Sequence, residues 1–236
     1  MIPVPHPGAV ILVHGAWADG STWSHVILPL RRHGLAVISA PLPLTSLTDD
    51  AAAVRRVIAR TTGPVTLVAH AYGGAVIGAV HHDRVKSLVY VAALAPDEGE
   101  TVADVFYRAA PHPEAPHLEP DADGYIWMPE EGFGRAVAHR ASADQLAIMI
   151  AIQRPIALRC IQEKVPAPAW KTTPSWYLVV EEDRMIPPET QRFMAERMGA
   201  PVRSHKVDHT PMHDASHWVV DWIEKAVDAT HARPNG

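Results

Sequence analysis

Along the chain, short unbroken apolar runs alternate with longer stretches in which apolar residues return every three or four positions. The runs lie at residues 9–13, 35–39, 65–68, 87–92, 176–180 and 202–207. Several are rich in valine and lack polar alternation, the pattern of strands buried on both faces. Between them, residues 49–58 offer an acidic N-cap at Asp49-Asp50 and then Val54, Val57 and Ile58 at i, i+3, i+4 spacing, which predicts a helix. Residues 73–80 and 218–227 read as helices on similar grounds. Strands alternating with helices predict an α/β fold, a doubly wound and mostly parallel sheet with helices on both faces.

One interval breaks the alternation. Residues 100–173 contain Pro111, Pro113, Pro116, Pro120 and Pro129, a turn-like Asp121-Ala122-Asp123-Gly124, and a helical pattern at 143–152. Structureless loops beyond about 12–15 residues are uncommon in compact domains. The interval is therefore expected to be an inserted, largely helical lid, with 1–99 and 174–236 forming the core.

Composition narrows the function classes. Of 236 residues, 47% are hydrophobic and 20% charged, which is ordinary globular usage and argues against disorder or a fibrous repeat. A net charge of -5 without a Lys/Arg run gives no electrostatic footprint for nucleic acid. A small-molecule partner is favoured. Cys160 is the only cysteine, so neither an intramolecular disulfide nor a CxxC zinc site is available, and a reducing compartment is expected. The first residues, Met1-Ile2-Pro3-Val4-Pro5, lack a basic region ahead of a long apolar one, and no run approaches 18 apolar residues, so a cytoplasmic chain without membrane association is expected. Of fifteen histidines, His81, His82, His112, His117, His139 and His231 lack metal-ligand spacing and are expected mostly at the surface. No cofactor or metal motif is found.

The chemistry concentrates at four strand ends. Residues 69–73, Ala-His-Ala-Tyr-Gly, with Gly74 beyond, join the run at 65–68 to the following helix. A strand, a sharp turn with small neighbours and a helix form the setting of the G-x-S-x-G elbow, whose strained backbone presents its central side chain above the sheet. Taken alone, the turn also fits a plain connection packing helix on strand. Three other segments agree with the elbow. His14-Gly15-Ala16-Trp17 follows the first strand, where sheets with such an elbow supply one backbone N–H of an oxyanion hole, so Ala16 and Tyr72 are the candidate donors. Glu181-Glu182-Asp183-Arg184-Met185-Ile186-Pro187 follows the run at 176–180, and Asp208-His209-Thr210 follows the run at 202–207. An acid and then a histidine after late strands give the order nucleophile, acid, base.

These segments together resemble the α/β-hydrolases. They are most similar to the branch of plant methylesterases, salicylate-binding esterases, hydroxynitrile lyases and their bacterial relatives. The resemblance spans nearly the whole chain, through Val10-Ile11-Leu12-Val13-His14-Gly15-Ala16-Trp17, His70-Ala71-Tyr72-Gly73-Gly74, Leu88-Val89-Tyr90-Val91-Ala92-Ala93, Glu182-Asp183-Arg184-Met185-Ile186-Pro187 with Gln191 following, and Asp208-His209-Thr210-Pro211-Met212. It implies Asp183 as the acid and His209 as the base, with Glu181, Glu182 and Asp208 as solvated neighbours. His213 and His217 are rivals, the latter in an Asp-Ala-Ser-His form that some bacterial relatives carry at the catalytic histidine. Position favours His209, just past its strand. Homodimers are common among lid-bearing members, so pairing is left open.

The departure is at the elbow itself, where the family has serine and this chain has Ala71. Alanine carries no nucleophilic atom, so the acyl-enzyme route is closed to the chain as written. Two readings follow. Either this is a serine esterase whose nucleophile has been replaced, or the alanine is native. In the second case the His209/Asp183 dyad serves a lyase, isomerase or cofactor-free oxygenase as general base, or the pocket only binds a ligand. The intact remainder of the constellation favours the first. Hydroxynitrile lyases place threonine after the first strand and lysine after the histidine, where Gly15 and Thr210 stand here. Epoxide hydrolases and dehalogenases need a carboxylate at the elbow. The expected substrate is an ester, thioester or lactone held under the lid against Trp17, Trp127, Phe133, Met185 and Met212, in a mostly apolar pocket.

Overall fold

The computed structural model describes residues 8–231, so the first five residues considered above lie outside it. In chain order the strands are β1 (Ala9–Val13), β2 (Ala36–Ala40), β3 (Val65–Ala71), β4 (Val85–Ala93), β5 (Tyr125–Ile126), β6 (Ile156–Ala157), β7 (Ser175–Val180) and β8 (Val202–His205). Six of them form one parallel sheet in the order β2-β1-β3-β4-β7-β8, and β5 pairs antiparallel with β6 as a separate ribbon. The helices are α1 (Ser24–Arg32), α2 (Leu47–Ala59), α3 (Gly73–Gly78), α4 (Val102–Phe106), α5 (Glu130–Gly132), α6 (Ala143–Ile152), α7 (Leu158–Gln162), α8 (Pro188–Arg197), α9 (Pro211–Asp214) and α10 (Ser216–Thr230).

The unalternated valine runs are explained by two apolar layers. Successive residues of a strand point to opposite faces. Ile11, Val13, Leu67, Ala69, Leu88 and Tyr90 join one layer with Val54 and Ile58 of α2, Ile77 of α3 and Met194 of α8. Val10, Leu12, Val68, Val89, Val91 and Leu178 join the other with Val26 and Leu30 of α1 and Val219, Trp222 and Ile223 of α10. Strand β3 continues three residues beyond its predicted end, to Ala71, because its backbone goes on pairing with β4 after the side chains turn small. Strand β8 stops at His205, where the Val207 N–H turns back onto the His205 carbonyl at 3.0 Å.

Two sequence expectations change here. The N-cap of α2 is Ser46 rather than an aspartate, its hydroxyl accepting the Asp49 N–H at 2.9 Å. Asp49 thus lies at the third helical position, while Asp50 turns inward and is fully buried. Its carboxylate accepts the Leu44 N–H at 2.8 Å and the Tyr72 hydroxyl at 2.7 Å, with the Cys160 thiol 3.8 Å away. His231, expected at the surface, is buried at the end of α10 with Nε2 3.0 Å from the Thr66 hydroxyl, because the helix end packs onto β3.

The insertion between β4 and β7 holds α4 to α7 and the β5–β6 ribbon. It is fastened to the core through backbone, with Ala157 N–H on the Leu44 carbonyl at 3.0 Å. Helix α6 is almost wholly apolar toward its C-terminus, yet none of its residues is buried.

Two stability predictions follow from this packing. A Cβ on Gly74 would lie 2.4 Å from the Leu94 carbonyl oxygen and 2.9 Å from Ala93 Cβ. Because the first obstacle is backbone, Gly74→Ala is expected to destabilise the fold by about 2 kcal/mol or more in urea unfolding. Burial raises the Asp50 carboxyl to about 6, opposed by its bonds from Tyr72 and Leu44. A folded-state pKa above the unfolded one gives stability that is full below about pH 4 and lost as pH rises through about 6. Between pH 4.5 and 8 the parent should therefore lose on the order of 2 kcal/mol relative to Asp50→Asn. Parallel pH dependences for the two proteins would overturn this.

Candidate active site

The C-terminal ends of β1, β3 and β7 and the segment after β8 meet around one cavity of about 290 Å³ whose lining is mostly apolar. Ala71 ends β3 on its wall with φ +48°, in the left-handed region. For a residue with a Cβ this backbone costs about 1–2 kcal/mol. Close neighbours hold it there. A Cβ on Gly15 would lie 2.9 Å from Ala71 Cβ, and one on Gly73 would lie 2.8 Å from both the Val13 and His14 carbonyl oxygens. The Ala71 carbonyl accepts the Leu94 N–H at 2.9 Å. Since the trans peptide is planar, the Tyr72 N–H of the same unit points the opposite way, away from Leu94.

The β1 end repeats this device. His14 Nδ1 lies 2.8 Å from the Gly15 carbonyl, and because a carbonyl only accepts, the ring nitrogen is the donor. Burial lowers the His14 pKa, which favours the neutral ring. The Ala16 N–H shares that peptide and points away from the bond, and Ala16 lines the cavity. Trp17 also has positive φ, +55°. Its backbone N–H donates to the Arg154 carbonyl at 3.1 Å and its indole N–H to the Ile126 carbonyl at 2.9 Å, both in the insertion.

His209 Nδ1 donates to Asp183 Oδ2 at 2.7 Å, which leaves Nε2 with the free lone pair. Asp183 is buried and has no cationic partner among these bonds. Its Oδ1 accepts the N–H groups of Met185 and Ile186 at 2.8 Å each, and Oδ2 also accepts Gln191 Nε2 at 2.8 Å. Gln191 is fixed in turn by the Val180 N–H on its Oε1 at 3.1 Å. Below His209, His70 Nε2 donates to the His209 carbonyl at 2.7 Å, the two rings 4.6 Å apart. Burial first, then the neighbouring His209, keeps the His70 pKa well below the ordinary value. His70 is therefore a neutral strut.

Of the rival residues, only His213 reaches the cavity. Glu181 pairs with Arg192 and Glu182 with Arg140. Asp208 is not solvated as expected but buried, because it accepts the Thr210 N–H and hydroxyl and the Arg140 N–H at 3.0 Å each. His217 is exposed on α10 against Trp218, whereas His213 is half-buried on the cavity wall.

Trp17, Tyr72, Phe133 and Met185 also line the cavity, but two expected wall residues do not. Trp127 follows buried Ile126 in the alternation of β5 and so faces outward, 50% exposed, its indole N–H on Asp121. Met212 is fully buried in the α1/α10 layer beside Leu12 and Trp23. Much of the wall instead comes from Phe106, Ile148, Met149, Ile152 and Ile161 of the insertion; the apolar pattern at 143–152 is a signal for three of them, and Phe106 and Ile161 carry none in the sequence. Among the described residues no cluster of three His, Cys, Asp or Glu is placed to hold a metal ion, and no helix is long and apolar enough to cross a membrane.

The model of the alpha/beta hydrolase family matches residues 10–222. A carbendazim-hydrolyzing esterase of Nocardioides is 31% identical over 117 residues, 43% of this chain and only 48% of that esterase, so the match spans about half its length. A pyrethroid hydrolase of Sphingobium wenxiniae is 24% identical over 256 aligned positions, covering 93% of this chain and 88% of that protein. Among solved structures, a methylesterase from Arabidopsis superposes with a TM-score of 0.76 at 15% identity over 94% of this chain and 99% of that one, a likeness of fold. With a parallel six-stranded sheet and a family match across most of its length, the chain belongs to the alpha/beta hydrolase family.

Proposed function

We propose that this protein is built as a serine-hydrolase-type esterase for a carboxylic ester, thioester or lactone, with its nucleophile position held by Ala71. The observation that carries the reading is the left-handed backbone of Ala71 on the wall of the cavity it shares with His209. Such strain persists where the surroundings over-determine it and is concentrated at functional sites. The ester-hydrolysing relatives support the same class.

With a hydroxyl at position 71, His209 Nε2 takes its proton while the oxygen attacks the acyl carbon. The charge that develops on the carbonyl oxygen is met by the Ala16 and Tyr72 N–H groups, and collapse expels the alcohol or thiol with the proton from Nε2. Water then repeats the sequence and frees the acid. Asp183 keeps the proton on Nδ1 and stabilises the imidazolium. The insertion serves as the lid that shields these steps from solvent. Without the hydroxyl the first bond cannot form, so the chain as it stands is expected to be inactive or strongly impaired. The alternative is a natural non-hydrolytic member in which the dyad is a general base or the cavity only binds a ligand; the fact in its favour is the alanine itself.

The test compares the parent with Ala71→Ser on a short-chain aryl ester, with fluorophosphonate labelling and intact mass. Only Ala71→Ser should show a burst and gain one adduct, and adding His209→Ala should lower kcat by about 10³-fold or more. If Ala71→Ser neither turns over nor labels, acyl transfer is the wrong reading and dyad base chemistry or ligand binding takes its place.

A further inference from the structure

We infer that Asp50 is a positioning residue for the proposed reaction: through the Tyr72 hydroxyl it fixes the elbow peptide whose N–H is the second oxyanion donor. The inference rests on the esterase reading for its kinetics but not for its geometry.

Three observations converge on it. The first is connectivity. Asp50 lies on α2, away from the reacting atoms, yet one carboxylate oxygen takes the hydroxyl of Tyr72, the residue that follows the elbow, at 2.7 Å. The Ala71–Tyr72 peptide is held on its carbonyl side by Leu94. A planar unit anchored at one edge still rocks about that anchor, and a side chain tied at its far end removes the remaining freedom. The Asp50–Tyr72 bond supplies that tie, and Tyr72 is itself buried, its ring packed in the core layer.

The second is what the arrangement costs. Asp50 is fully buried, and the groups bonded to it are an amide, a phenol and a thiol, with no cation among them. Buried carboxylates without a cation are expensive, and a leucine would fill such a place more cheaply. Leu44, which supplies the amide, itself sits at φ +59°. Two unfavourable features kept side by side, bonded to the residue just beyond the elbow through Asp50, fit a site held for function rather than for stability.

The third is reach. Cys160, the thiol beside Asp50, belongs to α7 of the insertion. One carboxylate on a core helix therefore touches the loop that precedes it, the residue after the elbow and the insertion together. It does not touch the cavity: Asp50 is absent from its lining, so it acts through Tyr72 and not on substrate.

The experiment uses two readouts. In the full-length parent chain labelled with ¹⁵N, Tyr72→Phe and Asp50→Ala should each move the residue-72 amide resonance and speed its hydrogen exchange, while thermal unfolding shows both variants folded. In the Ala71→Ser background the same changes should lower kcat by about 10- to 100-fold with KM within about twofold, since a displaced donor is lost mainly in the transition state. Asp50→Asn, which keeps an acceptor for Leu44 and a partner for the phenol, should recover most of that loss. Combining Asp50→Ala with Tyr72→Phe should cost no more than either alone. An unmoved amide, an unchanged kcat, or parallel changes in kcat and KM that track stability would overturn the inference. If Ala71→Ser is inert while the amide still moves, the esterase reading fails and the positioning of the peptide stands.

Discussion

The left-handed turn at Ala71 is the constraint on which the rest of the site depends. A residue with a Cβ adopts that backbone only when its surroundings leave no alternative. Here the surroundings are main chain. Strand β3 pairs with β4 up to Ala71, and Gly15 and Gly73 bring the β1 end within a distance that no side chain would allow. The turn is thus a property of the sheet and its glycines, not of the residue at its apex. An alanine is therefore held in this turn without a side-chain bond of its own.

The two peptides nearest the expected reacting centre are secured in the same manner. Each has its carbonyl engaged, Gly15 by the His14 ring and Ala71 by the Leu94 amide, and each therefore presents its N–H on the opposite side. The His209–Asp183 pair is secured by dipoles as well. Asp183 is surrounded by two backbone amides, a side-chain amide and the imidazole it orients, and the neutral His70 ring braces the His209 backbone. In an apolar cavity such fixed dipoles act more strongly than they would in water and need no rearrangement as charge develops.

Much of this was legible in the sequence, for a physical reason. Strands buried on both faces write themselves as unbroken apolar runs, and sharp turns write themselves as glycines, so the sheet and the elbow were readable from residues 9–15 and 65–74. Asp183 and His209 were readable because each follows a strand end. Side-chain direction was not. Trp127 and Met212 are apolar residues near motifs, and whether such a residue faces a cavity, solvent or a second core layer depends on packing contributed by distant segments. Asp50 was misread for the same reason. Next to Asp49 at a helix start it looks like a cap, and only the approach of Leu44, Tyr72 and Cys160 from three other segments turns it into a buried acceptor.

The make-up of the cavity wall has a consequence for selectivity. On the insertion side its lining is mostly isoleucine, methionine and phenylalanine, while polar residues such as Asp19, Ser21, Ser24 and His25 line the side that follows β1. An apolar wall distinguishes ligands by about 1–3 kcal/mol per methylene and rejects weakly those that merely add a hydroxyl. A ligand pressed against the insertion side would be sorted by size and shape rather than by its polar groups. The girth of a few insertion side chains sets that side of the cavity independently of the backbone that holds the Ala71 turn.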